Sequence, residues 1–306
     1  MKDKNLTLII LVRDRQINIP IVSKYYSDLE CPKIIFDSSV RPFKDVPMLK
    51  KRGFKYVYFG PMTIWEKRHK CLSYIETDYV LENPDDDVTL KPSIRKAVNF
   101  LEENKDYVCG YGEFYYFNKK SFWPKNPKKH TGALTLNFRS EDPLERIKTF
   151  MTSYPLALNH TVMRSSVFKE FHTLIYQTKA LQYMNYLDRL FSIFILTKGN
   201  VKALPTLFQF RKKGNERVFL KHKKEVNARQ KLSTHLTRDV LLPFATLLSK
   251  ASGKSKQKCF SFLRQTLNRH FSLNRKKGKD WTTIDIKTTK RNYRPKLLKE
   301  FKNTFF

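Results

Sequence analysis

The chain is poor in glycine, in acid and in long apolar runs. It has nine glycines in 306 residues and none before position 53, which argues against a nucleotidyltransferase built on an early glycine-rich phosphate loop. Its longest apolar stretches, LTLIILV near the start and LFSIFILT at 190–197, fall short of the ~20 residues of a membrane-spanning helix. The opening MKDKNLTLIILVRDR turns charged at once and has no small-residue cleavage site, so no secretory signal is read and an intracellular protein is expected. Cys31, Cys71, Cys109 and Cys259 are far apart and form no CxxC pair. That excludes a zinc framework or a disulfide scaffold and leaves reduced, mostly buried thiols. No internal repeat is found.

What is present is a core and a large positive charge. With 41% hydrophobic and 14% aromatic residues the chain can bury a globular interior. The formal net charge is +32, and it is unevenly placed: residues 211–306 hold 27 Lys and Arg against 6 Asp and Glu, residues 1–210 hold 33 against 22. The spacing predicts two regions, 1–210 and a basic, mostly helical 211–306. The second contains two helical patterns, STHLTRDVLLPFATLLSKA and KQKCFSFLRQTLNRHF, separated by SGKS.

The first hundred residues alternate strands and helices. LTLIILV suits a strand buried on both faces. A helix (PIVSKYYSDL), a strand (KIIFD), a short strand around YVYFG, a helix (TIWEKRHKCLSYIE) and a strand (DYVLEN) follow. This order predicts an α/β fold with a mainly parallel sheet and right-handed crossovers. Ligands of such sheets bind beyond the carboxyl ends of the strands. Asp14, Asp37 and the consecutive Asp85, Asp86 and Asp87 all fall at such ends. Three adjacent carboxylates repel one another, so they must be either well solvated or neutralised by a positive partner. The plain alternative is a solvated turn capping the next helix.

The segments LTLIILVRDRQINIPIVSKYYSD, KIIFDSS, EKRHKCLSYIETDYVLENPDDDVTLKPSIRKAVNFLEEN, SYPLALNHTVMRSSVFKEF and LDRLFSIFILTKGNVKALPTLFQFR resemble, in order and rough spacing, a bacterial family-two-like glycosyltransferase family with the GT-A fold. The resemblance covers about the first 210 residues. It implies a nucleotide-diphosphate sugar donor, a glycan or lipid-linked acceptor, inversion at the anomeric carbon, and Mn²⁺ or Mg²⁺ held by the carboxylate cluster. On that basis Asp87 is the expected direct metal ligand, Asp85 contacts metal or ribose, and Asp86 helps position the sugar. A divalent cation there would balance the pyrophosphate charge. Asp37 is expected at the nucleotide base, though Asp-Ser-Ser is also ordinary turn chemistry. Arg13 stands where the family carries an aromatic and could stack on a base or pair with phosphate. Lys67 matches a family lysine and is expected among the donor-binding residues with a phosphate or carboxylate as its partner, an exposed helical lysine being the plainer reading. Asp188 is the expected general base, the alternative being an ion pair with Arg189.

The aromatic run from Tyr111 to His130 could form an acceptor platform, or a strand and a partly packed loop. His160 and His172 are read as structural, and His222 comes too late for an evident third metal ligand. The basic carboxyl-terminal region suits an anionic membrane surface, with a cytoplasmic protein lying peripherally on the inner face. A nucleic-acid binder would also explain the charge, but no helix-turn-helix, zinc-finger or RNA-recognition signature is present, and the aspartates would stay unexplained.

Overall fold

The computed structural model describes residues 3–117, 128–130, 137–153, 158–183, 187–212 and 236–276. Leu6–Val12 forms β1, and six of its seven residues are buried because both faces are covered. The chain continues through α1 (Ile19–Tyr25), β2 (Lys33–Asp37), α2 (Val46–Lys51), β3 (Phe54–Tyr58), α3 (Ile64–Cys71), β4 (Tyr79–Pro84), β5 (Val88–Thr89) and α4 (Lys91–Glu103). Next come β6 (Tyr107–Phe117), β7 (Lys128–His130), β8 (Asn137–Phe138), α5 (Pro143–Ser153), β9 (Val162–Arg164), α6 (Ser165–Gln177), α7 (Leu187–Lys198) and β10 (Asn200–Lys212). Helices α8 (Arg238–Ser252) and α9 (Lys256–Lys276) follow.

One mixed sheet carries the molecule, in the order β3-β2-β1-β4-β9-β6-β10-β5, with β7 pairing to β6 and β8 to β10. The first four strands are mutually parallel. Short β9 is antiparallel to both neighbours, β4 and β6, and β6 and β10 are parallel. The α/β expectation and the predicted elements therefore stand, with small shifts. The third strand begins two residues earlier than YVYFG, and Gly60, at φ 71°, lies just beyond it. The helix predicted over 63–76 is α-helical only to Cys71, then tightens into a 3-10 turn at Leu72–Tyr74.

Local sequence explains the elements that frame the site. In α3, Thr63 and Glu66 form a reciprocal capping box. In α4, Ile94, Ala97, Val98 and Leu101 are buried at helical spacing. Helix α7 has buried residues all around its axis from Leu190 to Thr197, the pattern of a helix enclosed in the core. Gly112 lets β6 approach β10 closely, since a Cβ there would stand 2.4 Å from the Thr206 carbonyl oxygen.

The carboxyl-terminal helices share this core. Val240, Leu241, Phe244 and Leu248 of α8 and Cys259, Leu263 and Leu267 of α9 are buried, with α8 against α5 and α7 and α9 against α8 and α5. All four cysteines are free and buried, as their spacing implied. Tyr111 and Phe114, from the start of the aromatic run, are core residues rather than a surface platform. Residues 118–127 of that run lie outside the described residues, as does His222.

Candidate active site

The carboxyl ends of β1, β2 and β4 converge, and the acidic triplet sits at the last of them. Arg15, in the loop after β1, bonds Asp85 through one guanidinium nitrogen and Asp86 through the other, the latter at 2.6 Å. The preceding Asp14 takes the left-handed conformation, φ 53°, which costs a non-glycine residue roughly 1–2 kcal/mol. Two bonds hold it there: its N–H donates to Ser39 Oγ at 2.8 Å, and its Oδ1 accepts from the Val40 N–H at 3.2 Å. Asn18 Nδ2 donates to the other oxygen of Asp85 at 3.0 Å. Asp87 accepts from the Lys212 backbone N–H at 2.9 Å, and Arg211 Nε stands 3.8 Å from its second oxygen.

Among the described residues Arg15 and Arg211 are the positive partners of the triplet, and burial outweighs them at Asp85 and Asp87. Burial pushes the Asp85 carboxyl up to about 6, against the lowering effect of Arg15. Burial pushes Asp87 up to about 7, against Arg211. Asp86 remains partly exposed, at 19% of its side chain.

Asp37 ends β2 as expected and is completely buried. Its carboxylate accepts from the Ser39 N–H (2.8 Å), Ser39 Oγ (2.5 Å), Gln16 Nε2 (2.5 Å) and Tyr56 Oη (2.8 Å). Four donors fill the acceptor capacity of a carboxylate, so a base N–H could reach it only by displacing one of them. Lys67 corrects the reading of an exposed helical lysine. It is 1% exposed, and its Nζ donates to the Val12 carbonyl at 2.7 Å, tying α3 to the end of β1. Burial lowers its pKa to about 8. Arg13 is exposed at the rim of the same loop.

A second cluster lies between α3, β4, α6 and α7. Asp188, in the first turn of α7, lines a cavity of about 200 Å³ together with Trp65, Arg68, Asn159, Phe171 and His172. The alternative partner expected for Asp188 is present, since Arg189 Nη1 lies 2.6 Å from its Oδ1. Arg68 pairs with buried Glu82 of β4 through Nε, at 2.9 Å from Oε2, and through Nη2 to Oε1. His160 bridges the two clusters. Burial, with the charges of Arg211 and Arg68, holds its imidazole neutral.

The residues suit a hard divalent cation in kind, not as a finished cage. Among the described residues no group of three or more His, Cys, Asp or Glu side chains is arranged to hold a metal. Mg²⁺ is commonly held by one or two carboxylates, with phosphate oxygens and water completing its shell. Asp85 and Asp87, incompletely neutralised by two arginines, offer that donor set.

Sequence reasoning missed Arg15, Arg211, Arg68, Glu82 and Asn159. Arg15 and Arg211 had a readable signal, as each lies at the carboxyl end of a strand, where the aspartates were found. Arg68 and Glu82 had none, because their pairing joins α3 to β4 across the fold.

At the sequence level the chain matches no protein-family model and no curated protein. In three dimensions the layout is the GT-A fold. S. aureus TarS is similar over 91% of this chain at 14% identity with a TM-score of 0.52, and the match spans 45% of that TarS chain. TarS 1–349 is similar over the same share at a TM-score of 0.55, spanning 74% of its length. A further match, TarS 1–349 in complex with UDP-GlcNAc, has a TM-score of 0.52 and spans 75%. Among the described residues no helix is long and apolar enough to cross a membrane.

Proposed function

We propose that this chain is a metal-dependent glycosyltransferase that moves a sugar from a uridine-diphosphate sugar to a hydroxyl of a glycan or lipid-linked acceptor, with inversion. The observation that carries this reading is the buried, under-neutralised Asp85 and Asp87 at the carboxyl end of β4, in a fold shared with a structure bound to UDP-GlcNAc. Asp85 and Asp87 would hold Mn²⁺ or Mg²⁺, and the cation would supply Lewis-acid stabilisation of the departing diphosphate.

The chain's own residues do the rest. Arg15 and Arg211 would bring positive charge to the diphosphate end of the donor, and exposed Arg13 of the same loop would stack on the base or pair with a phosphate. Lys67 holds the β1 end in place. Asp188 takes the proton of the acceptor hydroxyl as its oxygen bonds to the anomeric carbon. The bond from that carbon to the phosphate oxygen breaks, and the nucleoside diphosphate leaves with the electron pair. General-base assistance of this kind contributes typically about 10²–10⁴-fold.

The exposed basic residues of α9 fit an anionic membrane surface on which a lipid-linked acceptor would be presented. The reading is tested by saturation-transfer binding against a panel of nucleotide-diphosphate sugars with Mn²⁺ or Mg²⁺. Metal-enhanced binding of uridine-diphosphate sugars supports it. Failure of the whole panel, with tight nucleic-acid binding instead, refutes it.

A further inference from the structure

Six large apolar side chains stand exposed among the described residues, and four of them gather at one corner of the sheet. Ile17, 82% exposed, follows β1; Val40, 70% exposed, and Val46 lie between β2 and the first turn of α2; Tyr58 ends β3. These are the carboxyl ends of three neighbouring parallel strands at the edge of the sheet. Singly exposed aliphatics are ordinary, whereas a group of them marks a surface that meets something.

Hydrogen bonds hold this corner in shape. Gln16 Nε2 donates to the Arg41 carbonyl at 2.7 Å, the Val40 N–H donates to Asp14 Oδ1 at 3.2 Å, and Tyr58 Oη donates to the Val40 carbonyl at 3.0 Å. The Phe43 N–H donates to Tyr56 Oη at 2.7 Å. Ile17 and Val40 therefore sit on adjacent, tethered loops, and their exposure belongs to the fold rather than to slack in the chain.

The surroundings are basic. Residues 40–51 hold Arg41, Lys44, Lys50 and Lys51 against one acid, Asp45. All four cations are exposed, and Asp45 caps α2 by accepting from the Met48 N–H at 3.1 Å. Aliphatic tips flanked by cations complement an anionic bilayer, whose phosphates meet the cations while the acyl boundary takes the aliphatics. Nucleic acid would answer the cations alone and leave Ile17 and Val40 in water. A second copy of the chain would bring like charges face to face.

Resting on the reading of an acceptor presented at a membrane, we propose that this corner docks the protein on an anionic bilayer, with Ile17 and Val40 in the acyl boundary and Arg41, Lys44, Lys50 and Lys51 at the lipid phosphates. Arg15, two residues before Ile17, bonds Asp85 and Asp86, so the corner borders the carboxylate cluster. Docking there holds the mouth of the candidate site at the headgroup layer, a placement that the basic residues of α9 do not by themselves specify.

The test uses the full chain and vesicles of equimolar phosphatidylglycerol and phosphatidylcholine. Because the four native cysteines are buried, Val40→Cys can be labelled with a polarity-sensitive fluorophore. Its emission is expected to shift to the blue on these vesicles and to be quenched by brominated acyl chains. The unlabelled Ile17→Ser, Val40→Ser double variant is expected to lose at least about tenfold in vesicle affinity, with melting temperature and Mn²⁺-dependent UDP affinity unchanged. If wild type sediments with the vesicles while the label stays in water, or if the folded double variant binds as tightly, this corner is overturned and the membrane reading stands. If wild type binds no anionic vesicle, both fall. A blue shift produced by UDP and Mn²⁺ without lipid would assign the corner to the nucleotide, and a wild-type dimer that the double variant dissociates would assign it to a second copy; either result overturns the proposal.

Discussion

Arg15 reaches Asp85 with one arm of its guanidinium and Asp86 with the other, so a single cation from the loop after β1 spans two of the three carboxylates that close β4. Charge that the fold cannot dilute with solvent is countered in this way across two strand ends. Arg15→Met should lower stability by roughly 1–3 kcal/mol, the usual cost of leaving a buried polar group unmatched. Mn²⁺ should then restore more stability to the variant than it adds to wild type. Thermal melts with and without the ion measure this, and equal Mn²⁺ effects on the two proteins would show that Arg15 does not compete with a cation.

The buried aspartates set a pH dependence. Both have folded pKa values above their ordinary 3.8, at about 6 for Asp85 and about 7 for Asp87. Their protonated forms favour the folded state. The stability they confer is full below 3.8 and is lost as pH rises through about 6 and about 7. Urea midpoints taken between pH 5 and 8 without divalent ions should fall for wild type and fall less for Asp87→Asn, whose amide oxygen can still accept from Lys212. Parallel curves for the two proteins would contradict the assignment.

Asp188→Asn separates chemistry from binding. The amide keeps the shape of the side chain and loses its basicity, so donor affinity should survive while transfer slows by at least roughly 10²-fold. Collapse of donor binding would move Asp188 from the acceptor side to the donor pocket.

Helix α9 presents Lys256, Lys258, Arg264 and Arg269 to solvent while Cys259, Leu263 and Leu267 face the core. Replacing those four cations with Gln should weaken binding to vesicles containing anionic lipid by about 1 kcal/mol per residue at low salt and leave donor affinity unchanged. Co-sedimentation at fixed ionic strength, with competing duplex and single-stranded nucleic acid, gives the answer. Vesicle binding that does not respond to the substitutions would contradict the membrane role.

The order of elements was legible because β1, β2 and β4 are short runs rich in branched apolar residues that alternate with helical patterns and end at or just before aspartates, and length, composition and flanks identify such runs as strands. The same pattern located Asp37, Asp85, Asp86 and Asp87 at the strand ends. Which partners those carboxylates meet was not legible. Asp37 is saturated by Gln16, Ser39 and Tyr56 from three separate segments, and Arg211 reaches Asp87 from the far end of β10. Lys67 was misread because a lysine at helical spacing gives no sign that its amine will be drawn inward to a strand-end carbonyl.

The most direct measurement is a calorimetric titration of UDP into wild type and Asp87→Asn, each with and without Mn²⁺. Wild type should bind with an affinity that depends on the ion, and Asp87→Asn should lose that dependence while melting cooperatively, because a neutral amide is a poorer ligand for a hard cation. Equal, Mn²⁺-dependent UDP affinity in both proteins would contradict the placement of the metal and diphosphate at the carboxyl end of β4.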